Sequence, residues 1–428
     1  MEIIADFHLH SKYARATSKQ STLENIYKWC KIKGINVVGT GDFTHPLWFE
    51  EINSKLEPAE HGLYKLKNIY SKEIEEKLPV SVKNNSVRFI LTTEISNIYS
   101  KYSKTRRMHN LIIFPDIDSV SKFNLKLSKI GNLKSDGRPI LGLDSKILLK
   151  IVKETNNKAL LIPAHIWTPW FSMFGSKSGF DTINEAFEEL TPEICAIETG
   201  LSSDPFMNWR LSALDKIAII SNSDSHSVQK LGREANIFDC GLSYDDLLSA
   251  IKTNDQRLVG TIEFFPQEGM YHLDGHRKCS VRLTPAQTKS YNNICPKCHK
   301  DLVIGVLNRV DQLADRPENF VPKSHKSVEF LIPLLEILSE IYNVKNSVKV
   351  IADYEFLYTK FGSELSILKN LSISELEKCG HTKLAHAIEK MRKREVFIEP
   401  GYDGVYGVVR VFSPGESTAT AGQLSLKL

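Results

Sequence analysis

The sequence predicts an α/β protein of more than one domain, and three observations predict it. From residue 1 to about 265, short apolar runs alternate with amphipathic segments, the pattern of an α/β barrel or a doubly wound sheet. From about 266 to 305, turn formers take over and three of the seven cysteines gather, as in a small metal-stapled module. From about 306 to 412, Leu, Ile, Glu and Lys dominate, as in VEFLIPLLEILSEIY and TKLAHAIEKMRKREV, which predicts helices. A chain of 428 residues exceeds one ordinary core, so two or three domains are expected.

Composition bounds the function classes. The chain is 42% hydrophobic and 25% charged, as soluble globular proteins are, and its net charge of +4 permits a nucleic-acid partner without demanding one. No apolar run reaches the roughly 18 residues of a membrane span, so no membrane partner is expected. The start, MEIIADFHLH, lacks the basic and apolar regions of a secretion signal. A cytoplasmic, nucleoid location is expected. The cysteines should then be reduced, and close Cys spacings read as metal sites rather than disulfides.

The strands of the first region carry the chemistry. In EIIADFHLH, Asp6, His8 and His10 recur every second residue, which in an extended strand puts them on one face. INVVGTGDF holds Asp42, VRFILTTEIS holds Glu94, MHNLIIF holds His109, and KALLIPAHIW holds His165. EICAIETG holds Glu198, and IAIISNSDSH closes on Asp224 and His226. Strand ends thus collect imidazoles and carboxylates, the ligand types of Zn²⁺, Mn²⁺ or Fe²⁺. In an α/β barrel the C-terminal strand ends form the active-site face. Ions a few ångströms apart activate water and stabilise a phosphoryl transition state, and Glu94 is the natural bridging carboxylate.

In the second region Cys295-x-x-Cys298 is half of a zinc site. Cys279 and His276 supply a CCHC set for one structural Zn²⁺, with His272 and His299 as competing fourth ligands. Cys30, Cys195, Cys240 and Cys379 lie in apolar or helical contexts and read as packing residues. The end of the chain, SPGESTATAGQLSLKL, is small and polar until its final hexamer.

His8-x-His10, Glu94, His109, His165 and Asp224-x-His226 resemble the motifs of the PHP family of metal-dependent phosphoesterases. The resemblance implies a distorted (β/α)7 barrel with a trinuclear metal site. Two positions depart from the family pattern: Phe43 stands where many members have a histidine, and SKYARATSKQ lacks a ligand histidine. A third ion would then rest on His226 with Asp42, His45 being a further candidate. The wider string VVGTGDF, SNSDSHSVQKLGREAN, YHLDGHRKC, ICPKCHKDL, RVDQLADRP and EPGYDGVYG is similar to the signatures of endonuclease Q and its helicase-associated relatives.

That resemblance implies a PHP nuclease domain over 1–265, a zinc-binding module over 266–305, a helical DNA-clamping domain over 306–412 and a flexible tail over 413–428. It implies a DNA-repair endonuclease that nicks 5′ to deaminated bases (uracil, hypoxanthine, xanthine) and abasic sites with the base flipped out. The expected cofactors are Zn²⁺ and/or Mg²⁺/Mn²⁺ in the PHP site. By the family pattern His8, His10, Glu94 and Asp224 hold one ion, and Glu94, His109 and His165 a second. Glu198 is either a ligand or a support for one. Arg233, in LGREAN, would clamp a phosphate oxygen unless it pairs with Glu234. Arg106 and Arg107 beside His109 suit a phosphate backbone. Trp167, Trp170 and Phe171 after His165 suit stacking on DNA, or else burial against the barrel. The terminal QLSLKL (Gln423, Leu424, Leu426, Leu428) is similar to peptides that dock on the replication sliding clamp. Two other readings compete. One is a histidinol-phosphatase-like small-molecule phosphatase, which needs neither the zinc module nor the tail. The other is a non-catalytic DNA-binding partner of a helicase.

Overall fold

The strand Glu2–Asp6 runs through the middle of an eleven-stranded sheet. The computed structural model describes residues 2–345 and 347–416, so the expected clamp peptide at 423–428 lies outside the described residues. Glu2–Asp6 pairs parallel with Val37–Gly39, which in turn pairs parallel with Arg88–Lys101. On its other side it pairs antiparallel with Ala235–Asp239, and that strand pairs antiparallel with Leu258–Glu263. Alternate residues of the strand feed different cores: Ile3, Ala5 and Phe7 pack with Leu111, Ile162 and Phe238, whereas Ile4 packs with Ile26, Trp48 and Phe89. Burial on both faces is what makes these strands read as nearly continuous apolar runs.

Arg88–Lys101 and Lys104–Phe114 form one long antiparallel hairpin. Its turn residues, Tyr102 and Ser103, both sit at positive φ (52° and 57°), the backbone of a turn whose twist matches the flanking strands. Directly opposed residues project from the same face. Ser96 opposes His109, so Glu94, two residues from Ser96, shares that face with His109. Leu160–Pro163 pairs antiparallel with the second hairpin strand, with Pro163 opposite Asn110, which delivers His165 beside His109. A separate two-stranded unit, Ala196–Glu198 parallel to Ala218–Ile220, delivers Glu198 and leads into Asp224.

The cysteine-rich stretch folds as a hairpin, Asp274–His276 with Val281–Leu283, followed by the helix Pro285–Ser290. Thr284 and Gln287 cap that helix reciprocally, satisfying its first N–H groups. Paired backbone hydrogen bonds between Gly275 and Val303 close the segment. The bond from Leu273 N to Gly401 O ties it to the stretch between the strands Phe397–Glu399 and Val408–Arg410.

The C-terminal region is mostly helical, as its composition predicts, with Leu334–Tyr342, Val348–Phe361, Glu364–Lys369, Ile373–Lys378 and Thr382–Arg392. It also lends a strand to the large sheet, since Ser327–Phe330 pairs parallel with Leu258–Glu263. A buried ion pair, Lys33 Nζ to Glu364 Oε2 at 2.9 Å, joins it to the first helix, Leu23–Lys33. Glu364 also accepts the Tyr354 hydroxyl (2.6 Å) and the Leu334 N–H (3.1 Å).

Candidate metal centre

Beyond Asp6 the first strand continues as an extended segment, with Leu9 bridged to Ser225 and His10 N donating to Ser225 O. Phe7 and Leu9 turn into the cores, which leaves His8 and His10 together on the remaining face, both almost wholly buried. Asp6 does not join them. It accepts Ser223 N (3.1 Å) and Gly232 N (2.9 Å), fixing the loop that presents Asp224, and burial pushes its carboxyl up to about 6.

One nitrogen of each histidine is engaged from behind. His8 Nδ1 lies 3.0 Å from both oxygens of Glu198, and His10 Nδ1 lies 2.9 Å from Asp42 Oδ1. The two Nε2 atoms face Glu94 and Asp224, and neither they nor Asp224 Oδ1 completes a hydrogen bond. His8, His10, Glu94 and Asp224 bring one candidate ligand atom apiece to within 4.8 Å of the others. Glu94, His109 and His165 form a second such group. Glu94 belongs to both: its Oε2 lies 3.2 Å from His10 Nε2, and its Oε1 lies 2.7 Å from His109 Nδ1 and 3.2 Å from His165 Nε2. Buried polar atoms converging without partners are costly unless something binds between them, and this donor set suits divalent ions.

Burial and the carboxylates together set the charges of the site. Burial disfavours the charged form of His8, yet Glu198, Glu94 and Asp224 outweigh it and hold the ring well above its usual range. Burial likewise acts against ionised Glu94, and His109, Arg138 and His8 reverse it. Burial holds His109 down to about 4 despite the neighbouring Glu94 carboxylate. Backbone strain marks the same place. Asp42, His165 and Asp224 all lie at positive φ (47°, 29° and 44°), where only surrounding structure can hold a non-glycine residue. Gly200 permits a close approach here, because a Cβ there would meet the His165 Cβ at 2.4 Å.

Three expected ligands fall outside both groups. Both Asp42 oxygens are taken, Oδ1 by His10 and Oδ2 by the N–H (2.6 Å) and hydroxyl (2.7 Å) of Ser11. Glu198 accepts from His8, Asn222 and His165 N, so it positions ligands. His226 stands at the rim, its Nδ1 2.9 Å from Asp224 O and its ring 4.6 Å from that of His10. Among the described residues no third ligand group assembles around Asp42 and His226. His45 stacks on Tyr13 at 4.4 Å.

In the cysteine-rich segment His276, Cys279, Cys295 and Cys298 gather as a third potential metal-binding group, and His272 and His299 lie outside it. Burial acts to raise the Cys295 thiol, but the backbone N–H groups of Cys298 and Lys297 and the neighbouring thiols bring it down to about 7.

PfuEndoQ of Pyrococcus furiosus, a lesion-specific endonuclease, superposes on this structure with a TM-score of 0.81 at 30% identity, covering 96% of this chain and 95% of its own. An endonuclease Q crystallised with a 27-mer duplex bearing an abasic lesion at its active site matches with a TM-score of 0.81 at 31% identity, covering 97% and 98%. The chain belongs to the endonuclease Q family. Residues 333–395 also match the family described as the MJ0043 C-terminal domain. The uncharacterized protein MJ0043 of Methanocaldococcus jannaschii is 33% identical over 252 residues, 57% of this chain, which spans only 31% of that longer relative. The uncharacterized protein YqxK of Bacillus subtilis is 25% identical over 421 residues, covering 96% of this chain and 99% of YqxK.

For this endonuclease Q family member, several expected DNA contacts need correction. Trp167 is fully buried and donates its indole N–H to Asn208, so it belongs to the core. Arg106 folds back over the Phe180 ring and donates to the carbonyls of Lys101 and Gly179, which occupies its guanidinium within the protein. Arg233 likewise donates Nε and Nη2 to Ser223 O, where it braces the loop before Asp224 rather than facing outward. Trp170 is 37% exposed and meets the Tyr271 ring edge-on at 5.4 Å. Phe171 covers His109 (centroids 4.8 Å apart) and lies beneath Arg107. Sequence reasoning missed Arg138, whose Nη1 lies 3.0 Å from Glu94 Oε2. Its one signal, a basic residue in the turn-rich NLKSDGRP, is indistinct from any surface loop.

Proposed function

We propose that this chain is a metal-dependent DNA-repair endonuclease that nicks the phosphodiester 5′ to deaminated bases (uracil, hypoxanthine, xanthine) and abasic sites, leaving a 5′-phosphate. The carrying observation is Glu94, whose two oxygens serve two imidazole groups at once, in a chain that superposes on endonuclease Q along nearly its whole length. The donor set fits ions of the Zn²⁺, Mn²⁺ or Mg²⁺ kind: His8, His10, Glu94 and Asp224 would hold one, and Glu94, His109 and His165 a second. When bound, such ions supply Lewis-acid charge neutralisation and water activation.

The chain's own residues do the rest. Glu198 and Asp42 hold the histidine rings with Nε2 inward. Phe171 shields His109 on one side of the site. The rim beside it keeps Arg107 and Trp170 available for the strand and its bases, the contacts this reading assigns to DNA. We read residues 1–265 as a catalytic PHP barrel and 266–305 as a zinc-binding module. Residues 306–412 would be a DNA clamp, and 413–428 a tail whose QLSLKL docks on a sliding clamp.

The test is strand-specific nicking of duplexes carrying uracil, hypoxanthine, xanthine or an abasic site, with Mn²⁺, Mg²⁺ or Zn²⁺ added, mapped at single-nucleotide resolution. Cleavage directly 5′ to a lesion, absent with chelator and absent in the His8→Ala/His10→Ala variant, supports the reading. No lesion-dependent nick on any duplex rejects it.

A further inference from the structure

We infer that Arg138 is a catalytic residue that grips a non-bridging oxygen of the scissile phosphate at the mouth of the metal centre. The inference rests on the endonuclease reading above and names a residue that reading leaves without a task. Among the described residues, Arg138 is the one Lys or Arg side chain paired with a carboxylate of the two ligand groups; every other partner of Glu94 and Asp224 in an ion pair is a histidine. Its side chain is 27% exposed while that of Glu94 is 0% exposed, so the guanidinium reaches from the buried carboxylate to the opening. A guanidinium offers five N–H donors in a planar fork, and Glu94 Oε2 takes only one nitrogen. The remaining donors are the ones this inference assigns to the phosphate. Arg233 and Arg106 are engaged elsewhere, on Ser223 O and Gly179 O, and Arg107 lies over Phe171 without pairing with either ligand carboxylate.

The backbone is built to hold Arg138 there. Asp136 Oδ1 accepts both Arg15 N (3.1 Å) and Arg138 N (3.2 Å). Gly137 N donates to Tyr13 O, and Pro139 O accepts Ser96 N from the hairpin strand that carries Glu94. Gly137 is pressed so close that a Cβ would meet Asp42 Oδ2 at 2.4 Å and Ala14 N at 2.9 Å. A loop pinned on both sides of one residue, against the carboxylate that supports His10, fixes that side chain in register with the ligands. Cations gathered at His8, His10, Glu94 and Asp224 would repel a guanidinium, so a fixed arginine at this position is favourable once an anion lies between them. A phosphodiester is that anion, and arginine matches its planar pair of oxygens.

The experiment compares wild type, Arg138→Ala and Arg138→Lys in single-turnover nicking of an abasic duplex at saturating Mn²⁺. It also measures affinity of the chelator-treated proteins for that duplex and for one with a methylphosphonate 5′ to the lesion. We expect Arg138→Ala to nick about 10²–10³-fold more slowly, as loss of one transition-state donor does. Arg138→Lys should fall between, and added guanidinium ion should restore part of the alanine variant's rate. The methylphosphonate should weaken wild-type binding by about tenfold and leave Arg138→Ala binding unchanged, the signature of a lost charged contact to that one phosphate. A rate within threefold of wild type, a rate regained simply by raising the Mn²⁺ concentration, or an equal methylphosphonate effect in both proteins would overturn the inference while leaving the endonuclease reading intact. A wild-type chain that nicks no lesion duplex overturns both.

Discussion

Asp42 Oδ1 lies 2.9 Å from His10 Nδ1, which leaves Nε2 of that ring as the atom turned toward Glu94 and Asp224. A carboxylate behind a ligand histidine fixes its tautomer and raises its basicity, and losing such a partner typically costs 10–100-fold in metal affinity. Asp42→Asn keeps the shape but places an amide where His10 and Ser11 need an anionic acceptor. The expected outcome is a metal requirement shifted upward by about that factor, with nicking recovered at high metal concentration. Titrating the nicking rate with Mn²⁺ in both proteins checks it, and a wild-type midpoint in the variant rejects the assignment.

Lys33 and Glu364 make the second distinctive contact, because the pair is buried and joins the first helix to the helical region. Removing one partner of a buried pair strands the other charge, at about 3–5 kcal/mol, whereas replacing both is far less costly. Glu364→Gln retains an oxygen for the Leu334 N–H but turns an amide NH2 toward Tyr354 and Lys33, leaving the Lys33 ammonium unbalanced. The single variant is therefore expected to lose about 3 kcal/mol or more in urea unfolding, and Lys33→Met/Glu364→Gln to recover most of it. Additive losses in the double variant would show that the two side chains are not coupled.

Much of the site was legible because strand geometry is periodic. The two-residue spacing of His8 and His10 needs only an extended backbone to put both rings on one face. What joins Glu94 to His109 was not legible. The hairpin turn is Tyr102-Ser103, with none of the Asn-Gly or Asp-Gly signal that usually announces such a turn, so the stretch before His109 read only as basic residues suited to a phosphate backbone. The same stretch shows why a run of charges is a weak guide. Neighbouring strand residues face opposite ways, and Arg106 turns back onto the protein while Arg107 does not. Arg138 was invisible for another reason: its approach to Glu94 depends on Gly137 seating against Asp42, a contact across 95 positions that no local pattern encodes.

Asp204 gives a pH dependence outside the metal centre. It caps the helix Pro205–Asn208 through Met207 N at 2.9 Å, and burial pushes its carboxyl up from 3.8 to about 6. The folded chain thus holds this proton more tightly than the unfolded one. Its contribution to stability declines as pH rises from about 4 to about 6, and the loss is complete above that range. Asparagine caps as well as aspartate and carries no charge. Asp204→Asn is expected to be near neutral at about pH 4 and stabilising by about 3 kcal/mol at about pH 7.5, since each pKa unit corresponds to about 1.4 kcal/mol. Urea unfolding at both values checks it, and an advantage that does not grow with pH rejects the assignment.

The tail proposal makes a separable claim. Deleting residues 423–428 should leave lesion nicking at the wild-type rate while abolishing binding to an immobilised bacterial sliding clamp, because the docking peptide is remote in sequence from every metal-group residue. Equal clamp affinity with and without the hexamer would sink it.

The cysteine-rich segment has a small apolar core of its own. Its own buried apolar side chains are Val281, Leu283, Cys295 and Leu302. Four such side chains make a small core for the stretch from 274 to 303, and small cores of this kind are commonly stapled by metals. Backbone bonds to Gly401 and Val303 help to place it, but they do not order the Cys295–Cys298 knuckle, where His299 is held at a φ of 58°. A metal held by His276, Cys279, Cys295 and Cys298 would add to the stability of the segment, since binding at a site absent from the unfolded chain is folding energy. Cys298→Ser is therefore expected to release one zinc ion per chain and to expose the segment around Lys289 and Lys297 to trypsin. Both metal groups around Glu94 should keep their ions, because no residue is shared between the sites. Zinc analysis with limited proteolysis checks this, and a variant that loses no zinc, or loses it with the segment still resistant, removes the structural role assigned to the ion.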